Sequence, residues 1–161
     1  MAVSPLEFVG LRRLPPLEAF VVADWFGSTE PIGSMDVAYL GEHFRTYLLP
    51  LREEPVPAAL LREHTLRIEA CDVETRKAYG VLKELGGETW APITLGQLWT
   101  CLLATDRRRR HMAYVRTSKN VFGVGVGWVD PHYSMRKGLY VESGPLYRPY
   151  PWAEDTIVLS Q

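Results

Sequence analysis

The chain has 161 residues, 47% of them hydrophobic, with five tryptophans, twelve prolines, two cysteines and a net charge of −1 at pH 7. That length suits one ordinary domain in which folding hides roughly 70% of the unfolded surface, and the apolar content excludes a disordered chain. It also excludes a disulfide scaffold, because Cys71 and Cys101 stand alone, and a membrane helix, because no segment nears the ~20 apolar residues that cross a bilayer.

The start, Met1-Ala2-Val3-Ser4-Pro5, lacks the basic residues and apolar run of a secretory signal, so a cytoplasmic location without membrane contact is expected. Leu17 to Phe26 reads as a short helix or a buried strand, and Phe20, Val21, Val22, Trp25 and Phe26 favour the strand. Val37 to Leu49 places Val37, Leu40, Phe44 and Leu48 near helical spacing, with Ser34 or Asp36 as a cap and Pro50 as the stop. Pro50 to Pro57 looks like a linker between an N-terminal subregion (1–50) and a main core (58–161), the whole 1–161 forming a single α+β domain.

Beyond Ala58 the pattern sharpens. Leu60 to Ala70 suits either a strand through Leu66 and Ile68 or the start of a helix. Asp72 then reads as the N-cap of a helix running to Leu85, since Ala78, Val81, Leu82 and Leu85 fall at i, i+3, i+4 and i+7 and Gly86-Gly87 follows. Thr94-Leu95-Gly96-Gln97 matches a capping box, and Leu95, Leu98, Trp99, Leu102 and Leu103 form one broad apolar helical face. Met112–Thr117, Val121–Val129, Leu139–Ser143 and Thr156–Leu159 read as strands bounded by turn residues. The simplest wiring is a C-terminal antiparallel β-meander packed against two or three helices, a two-layer α+β fold. Within Val121–Val129, Phe122, Val124, Val126 and Trp128 share one side, while Gly123, Gly125 and Gly127 leave the other nearly bare for a helix, a bend or a flat ligand.

Charge is lopsided. Residues 1–60 carry −4 and residues 61–161 carry +3, and the stretch Arg107 to Arg148 holds nine bases against Asp130 and Glu142 alone. Such a field suits an anionic partner, either nucleic acid or an acidic protein surface. The candidate contacts are Arg107, Arg108, Arg109, Arg110, Arg116, Lys119, Arg136 and Lys137, because guanidinium groups grip phosphates and carboxylates bidentately, with Tyr114 and Tyr133 as stacking rings. A solvated helix end explains the four arginines equally, since cations favour the negative end of a helix dipole.

H-E-x-x-H, Walker, G-x-S-x-G and C-x-x-C patterns are missing, so no catalytic residue, metal or cofactor is expected. His43, His64, His111 and His132 are scattered, and an enzyme would have to gather His111 or His132 with another group through the fold. From Thr94 onward the order of capped helix, Y-V-R-T-S-K-N hairpin, tryptophan-bearing strand and closing I-V-L-S resembles small proteins of bacterial or phage origin. That likeness implies an accessory or binding role and transfers no activity. The expectation is a non-enzymatic binding module, with a structural part of a larger assembly or an oligomer as the alternative.

Overall fold

Nine strands and four helices make up the computed structural model, which describes residues 4–27, 37–67, 77–105, 109–129, 138–146 and 153–161. In chain order they are β1 (Leu6–Leu14), β2 (Phe20–Val21), α1 (Val22–Phe26), β3 (Val37–Leu40), α2 (Glu42–Tyr47), β4 (Arg52–Glu53), β5 (Ala59–Leu66), α3 (Ala78–Glu84), α4 (Leu95–Ala104), β6 (His111–Arg116), β7 (Val121–Val129), β8 (Gly138–Pro145) and β9 (Ile157–Ser160). Seven strands share one sheet in the order β1-β5-β9-β6-β7-β8-β3, and β2 and β4 form a small second sheet.

This overturns the expected two-layer meander. β6, β7 and β8 pair antiparallel in succession, but β9 enters between β5 and β6, parallel to β6, and β3 lies parallel to β8. The reason is visible in β9 itself: Ile157, Val158 and Leu159 are all buried, so the strand needs a central position with both faces covered rather than the open end of a meander. The sheet is therefore mixed, and it takes strands from both ends of the described chain.

Alternation along the strands builds two separate cores. On the first face, Ala113, Val115, Phe122, Val124, Val126, Leu139, Val141, Ile157 and Leu159 meet α1, α2 and α4. On the second, Leu66, Met112, Tyr114, Val121 and Val158 meet Ala78, Val81 and Leu82 of α3 together with Leu85 and Ala91. Helices thus cover both sides.

α4 begins where its sequence says. The Thr94 hydroxyl accepts from the Gln97 amide at 3.0 Å, and the Gln97 side chain accepts from the Thr94 amide at 2.9 Å. Leu95, Leu98 and Leu102 then vanish into the first core, each worth about 1.5–3 kcal/mol of apolar burial. Gly96 is explained by proximity: a Cβ there would stand 3.2 Å from the Phe20 ring.

Three expectations about the first half of the chain are corrected. Leu17–Phe26 is strand only at Phe20–Val21 and then helical, because Val22 and Phe26, one turn apart, are both fully buried. Val37–Leu49 is not one helix: Gly41 is extended (φ −63°, ψ 155°), which separates β3 from α2, while the proposed caps Ser34 and Asp36 lie outside the described residues. Pro50–Pro57, expected as a linker or an exposed crossing, is mostly exposed and is pinned at two points, where β4 pairs with β2 and Val56 bridges Leu17. The α3 helix starts at Ala78, after an extended Lys77, and the expected cap Asp72 is outside the described residues. The open choice at residues 60–70 resolves as strand β5 as far as Leu66, while Ile68 to Ala70 lie outside the described residues.

Candidate functional site

The charged end of the sheet is set by two chain segments that meet between β6 and β9. Arg110 accepts, through its carbonyl, from the Ile157 amide at 2.8 Å, which draws the entrance of β6 against the turn preceding β9. In that turn Asp155 sits at φ 62°, a left-handed conformation that aspartate tolerates better than most side chains. The result is an open cleft lined by Arg109, Arg110, Glu154 and Asp155. The Arg109 guanidinium donates to the Asp155 carbonyl at 3.3 Å.

Beside this cleft Arg67 gathers acids. It lies 2.6 Å from Glu7, 2.6 Å from Asp155 and 3.9 Å from Glu154, and the Glu7 hydrogen bond is the main cause of its raised pKa. Base and acid therefore alternate around this end, in contrast to the run of positive charge in sequence.

The remaining described candidates lie elsewhere. Arg116 closes β6 at the opposite end from Arg109 and Arg110, about 20 Å from Arg110 at the ~3.3 Å rise of a strand residue, and its guanidinium donates to the Glu88 carbonyl. Lys119 occupies the β6–β7 turn, where the Thr117 hydroxyl accepts from the Lys119 and Asn120 amides at 3.3 and 3.0 Å. Tyr114 is fully buried in the second core and donates its hydroxyl proton to the Ala78 carbonyl, so it offers no ring to a ligand. Arg107, Arg108, Arg136, Lys137 and Tyr133 lie outside the described residues.

Tyr140 stacks on Tyr39 with ring centroids 4.6 Å apart, and its hydroxyl donates to Glu142 at 2.6 Å. Gly127 is open, with no atom within 4 Å of where a Cβ would stand.

Of the histidines, His111 is a structural joint. Its Nδ1–H donates to the Arg109 carbonyl at 2.9 Å and its Nε2 faces the Thr105 hydroxyl at 3.2 Å, which ties the end of α4 to β6. Burial holds its pKa below the ordinary value. His132 is outside the described residues. Cys101 is buried and its thiol is pushed up to about 11, chiefly by desolvation, so it stays protonated and inert. Cys71 is outside the described residues, and among the described residues no group of three His, Cys, Asp or Glu side chains could hold a metal ion.

Sequence reading missed two polar constellations. His43 Nδ1 lies 2.7 Å from Ser143 Oγ, with the imidazole edge-on to Phe122; Ser143 is only 5% exposed, so the pair fastens α2 to β8 instead of presenting a nucleophile. Glu53 of β4 accepts from the Leu95 and Gly96 amides, both at 2.8 Å, covering the start of α4 with a carboxylate. Burial raises its pKa against the opposing pull of those two bonds. The only hint of this was a glutamate flanked by prolines. Comparison with protein-family models, with curated proteins and with solved structures finds no match.

Proposed function

We propose that this protein is a non-enzymatic binding module whose Arg109–Arg110 end meets an acidic surface of a protein partner. The observation that carries this reading is the lining of the cleft: two exposed arginines share it with Glu154 and Asp155. A phosphate backbone requires continuous positive charge, and those carboxylates would repel it. A protein partner can place its carboxylates on Arg109 and Arg110 while Glu154 and Asp155 stay with Arg67, and complementary charge gives specificity and speed of encounter. The burial of Tyr114 also removes one of the stacking rings that single-stranded nucleic acid would use.

The test is an anisotropy titration of a labelled glutamate-rich peptide at low and at physiological salt. The expected result is affinity that falls with salt and drops severalfold when Arg109 and Arg110 are both replaced by alanine. Peptide binding that ignores both changes, or tight binding of a labelled single-stranded oligonucleotide in its place, overturns it.

A further inference from the structure

The two edges of the seven-stranded sheet are unlike. β3 has four residues, whereas β1 has nine and, among the described residues, a hydrogen-bonded neighbour, β5, on one side only. Phe8, Val9 and Leu11 on β1 are 56%, 58% and 60% exposed, and Leu60, opposite Arg13 on β5, is 51% exposed. A long edge strand with apolar side chains in water is a template for another strand.

We propose that the strand it takes is β1 of a second copy, paired antiparallel about a two-fold axis at Gly10, so that two seven-stranded sheets become one. In the sequence of β1, L-E-F-V-G-L-R-R-L, the acid lies before the glycine and the bases after it. Parallel pairing of two such strands sets like charges side by side, and antiparallel pairing sets unlike charges together.

The bulge fixes the register. Phe8 pairs with His64 and Gly10 with Glu63, so Val9 is an extra residue and the side-chain parity shifts by one there. Glu7, Gly10, Arg12 and Leu14 consequently lie on the same face as Leu61 and Glu63, while Leu6, Phe8, Leu11 and Arg13 lie with Leu60, Arg62 and His64. With Gly10 opposite Gly10 of the second copy, each bulge sets Phe8 and Val9 together against Leu11 of the other strand. Arg12 then stands opposite Glu7, and both are on the same face. A one-for-one register about Gly10 would instead set Arg12 opposite Phe8, which lies on the other face. Within each copy Arg12 is held by Glu63 at 2.8 Å and Glu7 by Arg67 at 2.6 Å, so across the axis two ordered ion pairs meet with opposite charges side by side. The two-fold axis uses both edges up, and the association stops at two copies.

This surface lies on β1 and is independent of the Arg109–Arg110 proposal. The test is sedimentation equilibrium of the full chain over a concentration series, with amide exchange of residues 6–14 followed across the same series. The expected mass approaches twice 18.3 kDa, with exchange at residues 6–14 slowing as concentration rises. Leu11→Lys and Glu7→Arg, both at exposed side chains, each weaken association at least tenfold while thermal unfolding shows the monomer intact. A wild-type chain that stays at 18.3 kDa throughout, or a dimer that neither substitution affects, overturns the proposal.

Discussion

The two faces of the sheet are made from alternate residues of the same strands, yet they are stabilised differently. The first carries a ring cluster in which Phe26 meets Trp99 edge-on at 4.7 Å and Phe44 at 5.2 Å, with Phe20 and Trp25 stacked beside them. The second carries the seven-residue α3, smaller side chains, and a buried tyrosine whose hydroxyl is fastened to the helix backbone. Where aromatic volume fills a layer, packing decides stability. Where a short helix covers a smaller cluster, single hydrogen bonds take a larger share.

The largest effect expected from that contrast is Phe26→Ala, which removes a fully buried ring from the middle of the cluster and costs about 3–5 kcal/mol in urea unfolding. Leu82→Ala on the second face falls near the lower end of the ~2–5 kcal/mol range for such truncations. Equal losses at the two positions would break the comparison. Next comes Glu53→Ala, which strips two charge-assisted bonds from the start of α4 and costs about 2–3 kcal/mol, with Glu53→Gln milder because one acceptor remains. The same denaturation series reads it.

Tyr114→Phe keeps the ring and leaves the Ala78 carbonyl without that donor, an expected loss of about 1–2 kcal/mol. If it proves neutral, the second face rests on packing after all.

Acid sharpens the contrast further, because burial lowers the pKa of His111 on the first face. A histidine whose folded pKa lies below its unfolded value of 6.5 binds fewer protons when folded, so its stabilising contribution is complete above 6.5 and lost as pH falls towards the lower folded value. His64, also lowered by burial and by Arg62, acts in the same direction. Stability measured from neutral pH downward should decline less steeply in His111→Gln than in the parent, and an unchanged slope would assign the whole effect to other groups. The smallest effect is at Gly127, where alanine meets open space and should change stability by no more than about 0.5 kcal/mol. A loss well beyond that would mean the bare side of β7 is in contact after all.

Local chemistry was legible and long-range placement was not. Thr94 and Gln97 announce α4 because a capping box is complete within four residues, and Val121–Val129 announces β7 because its alternation is uninterrupted. β1 escaped notice because the extra residue at Val9 shifts the parity and hides the period of two. Tyr114 looked like a candidate platform because period two shows only that Met112 and Tyr114 point away from Ala113 and Val115; it cannot show that α3 covers that side as well. The Arg109–Arg110 cleft needs Glu154 and Asp155 from more than forty residues away, and no local rule brings them together.

The position of β9 has a consequence for how the chain reaches this state. Among the described residues, 157–160 are the sole link within the sheet between the β1–β5 pair and the β6–β7–β8–β3 group. On a ribosome those two blocks emerge first and must wait, each with an unfilled flank, until the last strand arrives to join them. Closure is then a single late event of high contact order, slower than hairpin formation, and the open flanks are the places where a nascent chain would recruit a chaperone or aggregate.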